Sequence, residues 1–187
     1  MVRPIADEDL EVAMALVAEG VGAGWMGRDD LRPAPGRRVV VAEHDGRVAG
    51  VATAVLRDAE RLLEGAHPDV RAALRAEIGP VTPTLVFLKM AVVAPPARGR
   101  GLYGALLEDR IAWGRREGAD LAIALGWTPP DGCHIAPAMA RAGFAALAEI
   151  PGAYRSESVS AGAVCPACGP PPCECSGVLF SRWIATA

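Results

Sequence analysis

The sequence has few aromatic residues and no long apolar run. Aromatic residues make up 5% of the 187 residues, whereas 22% are charged. No apolar run approaches the roughly 18 residues that would span a bilayer. The chain turns acidic between Met1 and Asp9 without an apolar signal segment. These absences argue against a membrane protein or a membrane partner and predict a cytoplasmic location.

The sequence also lacks an excess of positive charge. Its formal net charge is -3, and it contains no block of basic residues. This argues against a nucleic-acid partner, because binding to phosphate backbones needs clustered lysine or arginine. Hydrophobic residues make up 51% of the chain, which is typical of a soluble globular protein. At this length we expect residues 1–187 to form a single domain, and the sequence leaves a homodimer open.

Along the chain, segments with the apolar pattern of a β-strand are interspersed with segments with the apolar pattern of a helix. Asp45 and Gly46 separate two β-branched runs and predict a hairpin turn. His67 and Pro68 break a helical pattern, which we interpret as an inserted helical segment over 58–83. The expected strands cover 2–5, 38–43, 47–56, 85–93, 121–125, 144–150 and 177–184, and the expected helices outside the insertion cover 7–20, 101–116 and 135–142.

A glycine-rich segment follows the apolar strand 85–93 and opens the helix at 101. We call residues 98–104, with the sequence Arg-Gly-Arg-Gly-Leu-Tyr-Gly, the glycine turn. Backbone amides at a helix start bind a pyrophosphate together with the positive end of the helix dipole. The glycines leave room for that approach, and the two arginines add positive charge. Taken alone, the segment fits an ordinary strand-to-helix connection equally well.

In its context the glycine turn resembles that of the GNAT superfamily of N-acyltransferases. The family motif is an Arg or Gln, two residues, a Gly, one residue, and a Gly or Ala. Arg98 and Gly101 match this motif, whereas Tyr103 departs from it at the last position. Two further segments resemble the family, Val2-Arg3-Pro4-Ile5 at the start and Ala142-Gly143-Phe144 before the sixth strand. The resemblance covers most of residues 1–156.

The resemblance implies an α/β (α+β) fold with a GNAT-like mixed, mostly antiparallel central sheet of about seven strands and flanking helices. It implies an N-acetyltransferase that passes an acetyl group from acetyl-CoA to a primary amine by direct attack in a ternary complex. The acceptor, a small molecule or a peptide, stays unidentified. A backbone amide of Val92 or Ala91 would stabilise the tetrahedral oxyanion. The implied cofactor-binding residues are Ala91, Val92, Val93, Arg98, Gly99, Arg100, Gly101, Leu102, Tyr103 and Gly104.

The groups that transfer protons are less well defined. The family often has a tyrosine general acid four residues before the Gly of the Gly-Phe pair, where this chain has Met139. Tyr154 or a bound water would substitute, and Tyr103 is a more remote candidate. Glu43, His44 or a water relay are candidates for the general base, although each side chain also fits an ordinary surface position.

Trp25 and Met26 are candidates to line the acceptor pocket, because they lie in the loop after the first helix. Both would equally suit a core position. The missing tyrosine at 139 supports an alternative function, a non-catalytic acyl-CoA-binding or protein-interaction module stabilised by a zinc loop.

Four of the five cysteines lie close together near the end of the chain, at Cys165, Cys168, Cys173 and Cys175. We call residues 165–175 the cysteine loop. Four thiolates at this spacing can converge on one tetrahedral ion, and the spacing predicts a structural Zn²⁺ site. Free thiols, a disulfide and an iron-sulfur centre are the alternatives. A zinc-dependent nucleic-acid binder would need basic residues around the cysteines, where the chain has Glu174 and prolines.

Overall fold

A computed structural model of the chain describes residues 1–185. Within these residues seven strands form one sheet in the order β1-β2-β3-β4-β5-β7-β6. Neighbouring strands are antiparallel except for β4 and β5, which are parallel. The expected mixed, mostly antiparallel seven-stranded sheet is therefore confirmed. The strands are β1 (Val2–Pro4), β2 (Arg37–His44), β3 (Arg47–Asp58), β4 (Thr84–Val93), β5 (Leu121–Thr128), β6 (Ala145–Ile150) and β7 (Ser176–Trp183).

Six α-helices flank the sheet in the described residues. The predicted break in the insertion is confirmed, because Pro68 begins a new helix and the His67 side chain accepts a hydrogen bond from the Asp69 amide. No helix in residues 1–185 is both long enough and apolar enough to cross a membrane. The helices are α1 (Leu10–Gly20), α2 (Ala59–Gly65), α3 (Pro68–Ile78), α4 (Leu102–Arg116), α5 (Ala136–Arg141) and α6 (Arg155–Ala161).

The predicted hairpin between β2 and β3 turns at Asp45 and Gly46. Both residues have positive φ, 50° and 71°. Positive φ at both central residues is the requirement of a type I′ turn, whose twist matches that of the flanking strands. The Asp-Gly pair therefore determined this part of the sheet locally.

Strands β4 and β5 separate soon after they pair. Their pairing covers only Leu85 to Phe87 on β4. On the other side of β4, Thr53 pairs with Met90 and Val55 pairs with Phe87. Between these two pairs β4 therefore has one more residue than β3, which is a β-bulge. Such a bulge bends a strand and changes its direction. The bend turns the last residues of β4 away from β5 and opens a gap in the sheet.

Helix α6 was not predicted from the sequence. Its residues lack an apolar face, and only Ser158 is buried. The Ser158 hydroxyl accepts a hydrogen bond from the Cys173 amide and donates one to the Arg155 carbonyl. A contact with the cysteine loop therefore stabilises this helix, and periodicity along the chain could not reveal it.

Candidate functional site

The glycine turn presents six consecutive amides without hydrogen-bond partners in the described part of the chain. The N–H groups of residues 99–104 make no well-aligned hydrogen bond to a backbone or side-chain acceptor in residues 1–185, and the first amide that does is that of Ala105, which reaches the Gly101 carbonyl at 3.0 Å. Gly99 and Gly101 have φ of 75° and 78°, a left-handed conformation that glycine adopts without strain. These two residues turn the backbone so that successive amides are free at the start of α4.

The space beside the glycine turn is open. A Cβ atom added at Gly99, Gly101 or Gly104 would have no heavy-atom neighbour within 4 Å. Packing therefore does not explain these glycines. Their open faces and the free amides form a concave surface suited to an anion.

A cleft of about 780 Å³ lies between the glycine turn, β4 and α5. It brings together most of the cofactor-binding residues predicted from the sequence. Arg100 is exposed and does not line it. Arg98 lies at its edge and donates a hydrogen bond to the Val93 carbonyl at 3.2 Å. The predicted residues that line the cleft are Ala91, Val92, Val93, Arg98, Gly99, Gly101, Leu102, Tyr103 and Gly104.

The backbone of β4 offers hydrogen-bonding groups to the cleft at alternate residues. Ala94 donates to the carbonyl of Ala49, its directly opposed residue on the β3 side, at 2.8 Å. In an antiparallel pair such bonded positions alternate, so Val92 is bonded to β3 while the amides of Ala91 and Val93 point away from it. Of the two amides proposed to bind an oxyanion, Ala91 has the direction that reaches the cleft.

Tyr103 directs its side chain away from the free amides and into the protein. Its hydroxyl lies 3.6 Å from the Met139 sulfur, and Met139 is fully buried. Burial raises the pKa of Tyr103, and the nearby Arg110 guanidinium partly offsets this. The residue that departs from the family motif therefore leaves the glycine turn unobstructed.

Arg110 is a buried cation that the sequence reasoning missed. It is 1% exposed, and burial lowers its pKa. Its Nε donates to the Leu106 carbonyl at 3.0 Å, and its Nη1 donates to the carbonyls of Thr53 and Met90 at 3.3 and 3.1 Å. The sequence feature that could have revealed its burial is its position four residues after Leu106, which places Arg110 on the apolar face of α4.

On the opposite side of β4, the two candidates for the acceptor pocket have different environments. Met26 is buried among core residues of α1, β2 and β3. Trp25 is half-buried, donates from Nε1 to the Val164 carbonyl at 3.1 Å, and packs edge-on against Tyr154 with ring centroids 5.9 Å apart. The structure therefore brings Trp25, but not Met26, to a surface beside the cysteine loop.

Tyr154 lies next to the diverging half of β5. Its hydroxyl donates to the Leu125 carbonyl at 3.0 Å, and burial raises its pKa far above the usual range. The phenol is therefore protonated at neutral pH. The hydroxyl is bonded to the backbone of β5, and Tyr154 is not among the residues that line the cleft.

Glu43 does not line the cleft. Its carboxylate lies two strands from β4 and accepts a hydrogen bond from Arg3 at 2.7 Å, and Arg3 also pairs with Asp9 at 2.6 Å. The structure brings Glu43 into this ion-pair network, away from the cleft. The sequence could not reveal this, because the pairing depends on the register of β1 against β2.

The four cysteines of the cysteine loop converge. Their sulfur atoms all lie within 4.8 Å of one another, and three of the Sγ–Sγ distances are 3.3, 3.8 and 4.0 Å. Four sulfurs around a zinc ion at about 2.3 Å would be about 3.8 Å apart. Burial raises the pKa of Cys173 to about 11, which a bound cation would reverse. The residues present therefore fit a tetrahedral metal site.

The cysteine loop also contacts three aromatic residues. Cys165, Cys173 and Cys175 are buried and pack against Trp25, Trp127 and Tyr154. The Val164 amide, next to the first cysteine, donates to the Ala23 carbonyl at 2.8 Å. The loop thus holds the segment after α1 against the end of β5.

Comparison with known proteins agrees with this architecture. The sequence model of the acetyltransferase (GNAT) family matches residues 9–144. No curated protein sequence matches the chain at a significant level.

Solved structures share the fold at low sequence identity. A ribosomal-protein-alanine N-acetyltransferase from Brucella melitensis is 18% identical, with a TM-score of 0.61 over 98% of this chain and 99% of that one. A ribosomal-protein-S18-alanine N-acetyltransferase from Escherichia coli is 13% identical, with a TM-score of 0.63 over 100% and 95%. A GNAT-like decarboxylase in complex with isobutyryl-CoA is 18% identical, with a TM-score of 0.64 over 98% and 99%.

Proposed function

Because the chain belongs to the GNAT acetyltransferase family, we propose that it transfers an acetyl group from acetyl-CoA to a primary amine by direct attack. Membership of this family makes the protein an acyltransferase. The observation that carries the choice of donor is the row of six free amides at the start of α4. The acceptor is a small-molecule or peptide amine.

The glycine turn and β4 bind the donor in this proposal. The free amides of residues 99–104 bind the pyrophosphate at the positive end of the α4 dipole. The pantetheine arm enters the gap between β4 and β5 and pairs with the Ala91 and Val93 backbone as an added strand would. The decarboxylase with isobutyryl-CoA shares this fold, which supports an acyl-CoA as the ligand.

The transfer needs no covalent enzyme intermediate. The neutral amine attacks the thioester carbonyl carbon, and the carbonyl electron pair moves to oxygen, where the Ala91 amide stabilises the oxyanion. When the carbonyl re-forms, the C–S bond breaks and the thiolate leaves. A proton passes from the attacking nitrogen to water, and the departing sulfur takes one from the Tyr154 hydroxyl or a bound water.

The acceptor enters from the side of the cysteine loop. Trp25 and Tyr154 pack edge-on there, between the segment after α1 and β5. An aromatic wall of this kind suits the apolar part of an amine substrate.

The cysteine loop binds one structural Zn²⁺ ion. Its support is the convergence of four sulfurs at distances that match a tetrahedral site. With four protein ligands the ion has no open position for substrate. It stabilises the loop that Trp25 and Tyr154 contact.

The proposed function is tested by measuring thiol release from acetyl-CoA with a panel of amines. The panel includes small polyamines, aminoglycosides, lysine and peptides with free amino termini, and mass spectrometry identifies the acetylated product. Acetylation of one class above the amine-free background is the expected result. Tight acyl-CoA binding without product from any class would favour the non-catalytic module. The methionine at position 139, where the family often has a tyrosine, also favours that alternative. Absence of acyl-CoA binding would overturn both functions.

Replacing Tyr154 with phenylalanine is expected to lower kcat about a hundredfold and to leave the Kd for acetyl-CoA unchanged. The variant lacks the proton donor but keeps the ring that packs against Trp25. Steady-state kinetics with the acceptor from the panel measure this. The chain has only two tyrosines, so Tyr103→Phe is the matched control. A large loss of kcat in the control, with none in Tyr154→Phe, would exchange the two roles.

A further inference from the structure

The charge of Arg110 is buried without a carboxylate bonded to it in residues 1–185. Its neighbour Asp109 is bonded to Arg38 at 3.0 and 3.1 Å, so that carboxylate is already engaged. In the part of the chain that the structure describes, the Arg110 guanidinium bonds to three backbone carbonyls, and the neutral Tyr103 hydroxyl is its nearest polar side-chain neighbour. Burying an unpaired charge is costly, and an apolar residue beside Leu107 and Ile111 would avoid that cost. Stability alone therefore does not account for an arginine here.

The carbonyls that Arg110 binds lie at the bulge of β4. Met90 pairs with Thr53 at the point where the β3–β4 register shifts. One guanidinium nitrogen, Nη1, reaches both carbonyl oxygens, at 3.1 Å from Met90 and 3.3 Å from Thr53. Arg110 thus holds the bulge from the α4 side, and the bulge is what separates β4 from β5.

The Met90 carbonyl and the Ala91 amide belong to the same peptide unit. In a trans peptide the C=O and N–H bonds point in opposite directions. The oxygen faces Arg110 while the N–H of Ala91 faces the cleft. A cation bonded to the oxygen draws electron density from the nitrogen, and this strengthens the N–H as a hydrogen-bond donor.

We propose that Arg110 is a positioning residue that polarises the Met90–Ala91 peptide and aims its N–H at the acyl carbonyl of the bound donor. The inference rests on the proposed function, since it assumes a thioester in the cleft. The guanidinium never touches substrate. It acts through the peptide, and its fixed charge lies behind the amide where oxyanion charge develops.

The test uses binding and vibrational spectroscopy, so it needs no acceptor. Arg110→Met removes the charge at similar length, and Arg110→Lys retains it. For each folded variant, calorimetry gives the Kd for acetyl-CoA and for CoA, and infrared difference spectra with ¹³C-labelled acetyl-CoA give the bound carbonyl stretch. Arg110→Met is expected to reduce the preference for acetyl-CoA over CoA about fivefold and to return the stretch towards its frequency in water. Arg110→Lys retains most of the frequency shift.

The outcomes separate this inference from the proposed function. If the parent protein binds no acetyl-CoA, the proposed function fails. If it binds acetyl-CoA but Arg110→Met leaves both the preference and the carbonyl frequency unchanged, Arg110 has no role in polarisation and the inference is overturned.

A second pair of variants covers the case in which Arg110→Met does not fold. Arg110→Gln keeps a donor for the Met90 carbonyl without the charge, and Arg110→Lys keeps the charge. A carbonyl shift retained by lysine and lost by glutamine supports the inference. Equal shifts in the two variants contradict it.

Discussion

Replacing Gly101 with valine is expected to raise the Kd for CoA at least a hundredfold, about 2.7 kcal/mol, while the protein still folds. Gly101 has a φ of 78° and lies at the start of α4. A β-branched residue disfavours this left-handed conformation, so the amides that follow would turn away from a common centre. The added methyl groups would also stand in the cleft, where nothing now lies within 4 Å of an added Cβ. Calorimetric titration with CoA measures the change.

Gly118 offers a matched control at the other end of the same helix. It has a φ of 80° and open space around an added Cβ, so Gly118→Val carries a similar backbone strain of about 1–2 kcal/mol. Thermal unfolding should show comparable losses of stability in the two variants. CoA affinity should fall in Gly101→Val alone. Unchanged affinity there would count against the glycine turn as the pyrophosphate site.

For the proposed zinc site, replacing Cys175 with serine is expected to abolish metal binding and to lower the free energy of unfolding by at least about 3 kcal/mol. Cys175 is 4% exposed, and its sulfur lies 3.3 Å from that of Cys168 and 3.8 Å from that of Cys165. Loss of one thiolate ligand weakens a four-coordinate ion, and the energy of binding the ion is also energy of folding. Elemental analysis and denaturant titration measure the two effects.

Cys133 is the control for the metal site because it lies outside the cluster of four. Cys133→Ser should keep one zinc ion per chain and change stability little. In the parent protein, a chelator should lower the Tm, and added zinc should restore it. A structural zinc site would be refuted if the protein, purified under reducing conditions, contained no metal and if a chelator left its Tm unchanged.

The features predicted most closely from the sequence are those that depend on neighbouring residues. Asp45 and Gly46 both take the positive φ that their turn requires, and the glycine turn adopts the left-handed conformations that glycine permits. The four cysteines converge because few residues separate them, so their spacing limits where the sulfurs can lie. In each case the physical cause is local backbone geometry.

The surroundings of other residues depend on contacts between distant segments, which the sequence alone does not show. Glu43 suggested a base, but the register of β1 against β2 places it beside Arg3. Helix α6 has no apolar face and is held by the cysteine loop. Arg110 was not predicted as a site residue, because its burial depends on how α4 packs against β3 and β4.

The sequence by itself determined the family, the positions of most strands and helices, the conformation of the glycine turn and the grouping of the cysteines, because each is encoded in short patterns of residues. Only the tertiary structure decided that Ala91 and Val93 face the cleft, that Trp25 meets Tyr154, and that a buried guanidinium lies behind the bulge of β4. These depend on strand order, register and helix packing, which bring together groups far apart in the chain.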